Sequence, residues 1–223
     1  MVSKHKSNRE TQPNYQISSY QDRLGREFFA RPATAVAEEL LGTLLIRRIN
    51  DTFLVGRIVE AEAYCDGDLP DLACHGDRAN GGKPTDRTRV MFGPPGHAYV
   101  YFTYGMHWMF NIVTGKEGQA NAVLIRALEP LSGRSMMAQN RKNLPLSQLT
   151  NGPAKLAQAL EIDKSLNGAN LCSENSVIWL EDNRRQQGFT ICTGPRVGLG
   201  KTPEPWLSIL WRFWIEDNPF VSK

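Results

Sequence analysis

Glu62 is the residue of this sequence best placed to do hydrolytic chemistry. It lies near the end of an alternating segment, residues 53–64 (FLVGRIVEAEAY), in which Glu60, Glu62 and Tyr64 share one face of a predicted strand. A single carboxylate can act as a general base toward water when its surroundings keep it ionised and aimed. Alternation alone is equally consistent with a carboxylate that faces solvent, so the case for Glu62 depends on its neighbours.

Arg126 is the first of those neighbours. It interrupts an otherwise apolar predicted strand, residues 122–128 (AVLIRAL). A buried guanidinium is costly without a carboxylate partner. Arg126 therefore either forms an ion pair that orients a catalytic carboxylate or water, or points outward from an edge strand.

Aromatic residues supply a second set of candidates. Residues 98–104 (AYVYFTY) form a predicted strand that turns at Gly105, which puts Tyr104 at a hairpin tip where it is hard to bury. An exposed ring at a turn can act as a wedge in a stack of nucleic-acid bases. Tyr101 and the loop residue His75 could contact a ligand, although an aromatic strand is more often core and a loop histidine is more often solvated.

A sheet is needed to position these residues. Strands are predicted at residues 43–48, 53–64, 98–104, 108–114, 122–128, 176–181 and 209–215, with helical patterns at residues 32–41 and from 153 onward and a long loop at 66–89. Regular βαβ alternation is absent. The pattern predicts an α+β fold: a single domain with a mixed or antiparallel curved sheet, flanking helices and a protruding β-hairpin. We expect residues 1–22 to form a disordered or loosely ordered N-terminal arm.

Composition narrows the class of protein. The chain has 223 residues and a formal net charge of +3, which suits a polyanionic partner without requiring one. Its four cysteines form no C-x-x-C pair and have no histidine at zinc-ligand spacing, so we expect reduced thiols and no metal. The sequence shows neither an apolar leader nor an apolar run of membrane-spanning length. We therefore expect an intracellular protein with no membrane partner.

Residues 195–201 (PRVGLGK) contain the Gly-x-Gly turn of a helix-hairpin-helix DNA-binding unit. That unit needs a helix on each side of the turn. Pro203 and Pro205 follow too soon for the second helix. The sequence therefore predicts an irregular loop or strand here.

Several of these segments belong to one ordered pattern. They read RLGREFF at 23–29, GRIVEAEAY at 56–64, MFGPPGHAYVYFTYGMHWMFNIV at 91–113, LIRALEP at 124–130, NGPAKLAQAL at 151–160 and RVGLG at 196–200. The ordered set resembles the alkyladenine (3-methyladenine) DNA glycosylase family of the mammalian type, which is distinct from the helix-hairpin-helix glycosylases. The resemblance implies that residues 23–223 are a glycosylase domain.

The resemblance also implies a reaction. It is that of a monofunctional enzyme of base excision repair, which flips out and hydrolytically excises alkylated or deaminated purines without a cofactor. Glu62 matches the family's general base, and Arg126 and the main-chain carbonyl of Val197 match the groups that hold the water. Tyr104 matches the residue that enters the minor groove and fills the space of the flipped nucleotide. The positions matched to base-binding residues are Tyr64, His75, Tyr101 and Asn111, of which Asn111 discriminates against the guanine amino group.

The same resemblance implies the binding partner and the cellular location of the protein. We expect a monomer that binds double-stranded DNA containing a damaged purine, in the cytoplasmic nucleoid of a bacterium or the nucleus of a eukaryote. Candidate phosphate contacts are Arg87, Arg89 and Lys155. The sequence departs from the family at residues 75–85, which form a longer loop, and at Asp86, where a proline is common. Two alternatives remain: a catalytically inactive damage-binding or architectural protein on the same fold, and a hydrolase of free nucleosides.

Overall fold

The computed structural model describes residues 22–64, 70–78, 81–183 and 188–222. The predicted N-terminal arm lies outside the described residues except at its last position. The strands are β1 (Leu44–Ile49), β2 (Thr52–Tyr64), β3 (Ala98–Thr103), β4 (His107–Thr114), β5 (Asn121–Ser132), β6 (Ile178–Glu181), β7 (Ile191–Gly194) and β8 (Arg212–Ile215). The helices are α1 (Arg26–Phe29), α2 (Ala33–Glu39), α3 (His75–Arg78), α4 (Arg134–Asn140) and α5 (Pro153–Ala159).

β2 is the strand around which the sheet is organised. It pairs with β5 along one edge and with β1 and then β8 along the other. The sheet runs in the order β3-β4-β5-β2-β1-β6, and β8 links β2 to β7. All of these pairs are antiparallel. The predicted α+β single domain with a curved sheet is confirmed, and of the two predicted sheet types the antiparallel one is observed.

The two faces of β2 have opposite surroundings, as its alternation predicts. Ala61 and Ala63 lie fully buried in the main hydrophobic core, against which α2 packs. Small side chains at these positions let the helix approach the strand closely. Glu60 and Glu62 point to the other face, because successive residues of a strand point in opposite directions.

The pairing of β2 with β5 is irregular at Arg126. Glu62 pairs with Leu124, so a regular ladder would place Arg126 opposite Glu60. The register instead shifts on both sides of Glu60, which pairs with Ala127, and Arg126 has no partner in the ladder. A β-bulge of this kind bends the strand and re-aims a side chain. Arg126 lies at this bulge, and its guanidinium contacts both glutamates.

The hairpin of β3 and β4 ends in a tight turn that exposes Tyr104. The N–H of Met106 donates to the carbonyl of Thr103, which closes the turn. Both central residues have positive φ, +52° at Tyr104 and +66° at Gly105. Two positive φ values are characteristic of a type I′ turn, whose twist matches that of the flanking strands. The predicted hairpin is confirmed.

Other predicted elements differ in extent. The predicted strand at 209–215 begins only at Arg212, and the one at 176–181 begins at Ile178. The predicted long loop at 66–89 is interrupted by α3, and residues 195–201 form an irregular loop as predicted. None of the helices in the described ranges has the length and apolar character that a membrane span requires.

Candidate active site

Glu62 is fully buried, and donors face both of its carboxylate oxygens. Its Oε1 accepts a 2.6 Å hydrogen bond from the N–H of Val197 and lies 3.2 Å from Nη1 of Arg126. Its Oε2 accepts a 3.0 Å hydrogen bond from the hydroxyl of Tyr64. The solvent-facing interpretation of Glu62 is therefore wrong, since the carboxylate lies inside a set of preorganised donors.

The surroundings of Glu62 adjust its basicity in opposing directions. Burial raises the pKa of the carboxyl, while the charge of Arg126 and the hydrogen bonds from Val197 and Tyr64 lower it. The nearby charge of Glu60 raises it further, and the net effect is a raised pKa. A carboxylate with a raised pKa accepts a proton from water more readily, as a general base requires.

Arg126 bridges two carboxylates. Its Nε donates to Oε1 of Glu60 at 2.9 Å, and its Nη1 contacts Glu62. Burial alone would lower the pKa of the guanidinium, but the two glutamates raise it above its ordinary value. The edge-strand interpretation of Arg126 is wrong, because β5 lies between β4 and β2 and the side chain is nearly buried.

Glu60 is a second fully buried carboxylate, and the sequence argument gave it no function. Its Oε1 accepts hydrogen bonds from Arg126, from Nε of Arg212 at 2.7 Å and from the hydroxyl of Ser222 at 2.8 Å. Its Oε2 accepts the N–H of Ser222 at 2.7 Å. Glu60 shares the strand face of Glu62, which was a signal in the sequence, but two of its partners, Arg212 and Ser222, are 152 and 162 residues away.

A pocket opens beside Glu62 on the same side of the sheet, with about 260 Å³ of space including its mouth. Its lining residues are Tyr64, Ala73, His75, Met91, Tyr99, Tyr101, Asn111 and Ala122. All four residues that the resemblance assigns to base binding are therefore brought together. Aromatic walls with a few polar groups suit a flat heterocycle.

The polar groups of the pocket are held in place by one another. Nδ1 of His75 lies 3.1 Å from the hydroxyl of Tyr99, and the imidazole meets the ring of Tyr101 edge-on at 4.6 Å between centroids. The side-chain amide of Asn111 donates to the carbonyl of Tyr99 at 3.1 Å. Burial raises the pKa of Tyr101 to about 12, so its ring stays neutral at physiological pH.

Tyr104 lies apart from the pocket, at the hairpin tip, where 80% of its surface is exposed. Met106 at the same tip is 66% exposed and Phe102 44%. The core interpretation of the aromatic strand fails for Tyr104 but holds for Tyr99, which is buried. Apolar side chains on a projecting hairpin are suited to insertion into a partner.

The three candidate phosphate contacts have different surroundings. The guanidinium of Arg87 lies over the ring of Tyr101 at 5.1 Å. Arg89 forms an exposed ion pair with Asp86 at 2.7 Å, which partly neutralises the acidic departure at that position. Lys155 donates to the side chain of Asn151 at 2.9 Å, near the start of α5.

Arg196 is a site residue that sequence reasoning missed. Its guanidinium forms a buried two-point ion pair with Asp71, at 2.6 and 3.0 Å, and donates to the carbonyl of Ala63 at 3.0 Å. It also stacks between the rings of Tyr64 and Trp211, at 4.7 and 5.1 Å. Arg196 therefore fixes the loop that presents the Val197 N–H to Glu62. No spacing rule pairs it with Asp71, so the sequence alone offered no signal.

Comparison with known proteins adds independent information. A family model described as "Methylpurine-DNA glycosylase (MPG)" matches residues 27–219. Three bacterial relatives, each named as a candidate 3-methyladenine DNA glycosylase, align with most of the chain. The Desulfitobacterium hafniense protein is 46% identical over 208 residues, covering 90% of this chain and 98% of its own. The Prosthecochloris aestuarii protein is 46% identical over 202 residues (90% and 91%), and that of Natranaerobius thermophilus is 45% identical over 202 (90% and 98%).

Proposed function

This chain belongs to the methylpurine-DNA glycosylase family, whose members hydrolyse N-glycosyl bonds, and we propose that it excises alkylated or deaminated purines from double-stranded DNA. The main support for the proposal is that Tyr64 belongs both to the surroundings of the Glu62 carboxylate and to the aromatic pocket. Its hydroxyl bonds to the buried carboxylate of Glu62, and its ring lines the aromatic pocket. A base held in that pocket would place its glycosidic bond near the carboxylate.

The target nucleotide leaves the duplex before the reaction. Extrusion costs a few kcal/mol, and least for a damaged or mispaired base. Tyr104 enters the minor groove and fills the vacated space, which offsets part of that cost. Its exposure and its position at the tip of the hairpin support this role.

The flipped base stacks in the pocket between Tyr64 on one side and Tyr101 with His75 on the other. Alkylated purines are often cationic, so neutral tyrosine rings attract them through cation–π interactions as well as stacking. Asn111 lies at the inner wall and discriminates against the guanine amino group. Its amide N–H is already used by the carbonyl of Tyr99, which fixes the orientation of the side chain.

Hydrolysis then proceeds with water as the nucleophile. Glu62 accepts the proton of the water, and its negative charge stabilises the oxocarbenium-like sugar that develops as the base departs. Arg126 and the main chain at Val197 hold the water. The main-chain contact of Val197 with Glu62 is made by its N–H, so the carbonyl assigned to the water is a separate group of the same residue.

The proposal includes the partner and the setting. The protein acts as a monomer on duplex DNA, with Arg87, Arg89 and Lys155 contacting phosphates around the pocket. The relatives are bacterial proteins, which favours action in the cytoplasm, at the nucleoid.

A product assay separates this proposal from its alternatives. The protein is incubated with duplexes carrying 3-methyladenine, 7-methylguanine, hypoxanthine or ethenoadenine and, in parallel, with the corresponding free nucleosides. Release of free base from the duplexes, with DNA binding that weakens as salt increases, supports the proposal. Binding without release identifies a damage-binding protein, and release only from nucleosides identifies a nucleoside hydrolase.

A further inference from the structure

Four charged side chains are linked by three ion pairs at the buried face of β2. Two carboxylates, Glu60 and Glu62, face two guanidiniums, Arg126 from β5 and Arg212 from β8. Ser222 completes the group, with its hydroxyl and its N–H both directed to Glu60. The charges sum to zero, which is the condition under which buried ions can persist.

Each guanidinium nitrogen of Arg126 contacts a different acceptor. Nε donates to Glu60 at 2.9 Å, and Nη2 donates to the hydroxyl of Ser222 at 3.1 Å. Nη1 is thereby left to meet Glu62 at 3.2 Å. Because a guanidinium is planar and its donors have a fixed geometry, fixing two nitrogens fixes the third.

Glu60 can hold Arg126 in this way only because other donors hold Glu60. Arg212 donates to the same Oε1 that Arg126 uses, and Ser222 donates to both oxygens. Without Arg212 two carboxylates would compete for one guanidinium. Arg126 would then be drawn toward Glu60 and away from Glu62.

We infer that Arg212 and Ser222 are positioning residues for the reaction that hold the Arg126 guanidinium against Glu62. Arg212 acts through Glu60, and Ser222 acts through Glu60 and through its own hydrogen bond with Arg126. The inference rests on the proposed function and adds two residues whose side chains contact Glu60. Arg212 is also the cross-strand partner of Glu62 in the pairing of β2 with β8. It assigns to β8 and residue 222 a part in catalysis, although both lie far in sequence from the aromatic pocket.

Arg212 also affects the electrostatic surroundings of Glu62. The groups that face Glu62 are Glu60 and Tyr64 on β2, Tyr101 on β3, Arg126 on β5 and Arg196 in the loop before β8. Arg212 neutralises Glu60 among them. Its removal leaves the negative charge of Glu60 less compensated, and a like charge raises the pKa of a neighbouring carboxyl.

The test compares Arg212→Met with Arg57→Met. Both arginines are largely buried, with side chains 18% and 21% exposed, and each is paired with a glutamate, but Arg57 pairs with Glu129. Single-turnover excision of hypoxanthine from a duplex is measured from pH 4.5 to 9, with duplex affinity measured alongside. We expect Arg212→Met to slow excision on the order of tenfold to a hundredfold near neutral pH. In Arg212→Met the acid limb, which is the part of the pH–rate profile where excision falls with decreasing pH, should move to higher pH, while the affinity for the duplex is unchanged. Arg57→Met should change neither quantity.

Ser222→Ala is the second variant, because it deletes one hydroxyl and avoids loss of a buried charge. It should shift the acid limb in the same direction by a smaller amount. The ¹³C titration of the Glu62 carboxyl provides a readout that does not depend on excision, and its midpoint should rise in Arg212→Met. An unchanged acid limb and an unchanged Glu62 titration in both variants would overturn the inference. Absence of base release by the unmodified protein would instead overturn the proposed function.

Discussion

The hydroxyl of Tyr64 donates a 3.0 Å hydrogen bond to Oε2 of Glu62, two residues earlier on the same face of β2. Burial and the charge of Glu62 keep the pKa of Tyr64 well above its ordinary value, so the phenol remains a donor. One residue thus forms a wall of the pocket and holds the carboxylate. The position of a stacked base and the orientation of the proposed general base are therefore coupled.

Tyr64→Phe separates those two roles. The ring remains for stacking, while Glu62 loses a hydrogen bond that lowers its pKa. We expect duplex affinity to be kept and the acid limb of excision to move to higher pH, as measured by single-turnover rates. Tyr64→Leu is the control that removes the ring and should weaken binding of lesion DNA. If the acid limb of Tyr64→Phe does not move, the hydrogen bond from Tyr64 does not lower the pKa of Glu62.

The raised pKa of Glu62 predicts opposite effects of pH on activity and on stability. Excision requires the ionised carboxylate, so it falls as the pH decreases through the raised value. Between the ordinary value of 4.5 and the raised one, the folded protein binds more protons at this site than the unfolded chain. The contribution of Glu62 to the free energy of unfolding is therefore greatest below pH 4.5 and is lost as the pH rises through the folded pKa.

The stability of Glu62→Gln relative to the unmodified protein is accordingly expected to be greater at pH 7.5 than at pH 5. The difference should shrink as the pH falls through the raised pKa, because the native carboxyl is then increasingly protonated. Urea denaturation at several pH values measures it. The expectation would be contradicted if the free energy of unfolding of the variant, minus that of the unmodified protein, were lower at pH 7.5 than at pH 5.

Tyr104 has a positive φ of +52°, which a bulky side chain adopts only at a cost. Asparagine tolerates this conformation, so Tyr104→Asn should leave the melting temperature unchanged or raise it. Loss of the stacked ring should weaken binding to lesion DNA by about 1–3 kcal/mol. Tyr104→Phe is the matched control, which keeps the ring and should bind normally. A large fall in melting temperature of Tyr104→Asn would contradict the wedge role and favour a structural one.

The buried pair of Arg196 and Asp71 should matter for both folding and the site. Arg196→Met leaves the fully buried carboxylate of Asp71 without its cation, which costs about 3–5 kcal/mol of unfolding free energy. Arg31→Met breaks the pair of Arg31 with Glu39, whose side chains are 34% and 42% exposed, and should cost less than about 1 kcal/mol. Denaturant unfolding distinguishes the two. Equal effects would show that the Arg196 pair contributes no more than a surface pair.

The sequence predicted the face that carries Glu62 because alternation along β2 is a local property. It also identified Arg126, since a charge within an apolar strand calls for a partner. It could not predict the bulge at Arg126, because register depends on the partner strand. The sequence could not predict the roles of Arg196, Arg212 and Ser222 either, because the carboxylate that each contacts is more than 120 residues away in sequence.

The central claim is that Glu62 activates the water that cleaves the glycosidic bond. Single-turnover release of base from a lesion duplex by Glu62→Gln tests it most directly, with duplex affinity and melting temperature measured on the same preparation. The account predicts a folded variant that binds the lesion duplex and releases no base above the uncatalysed rate. Base release at a rate near that of the unmodified protein would contradict it.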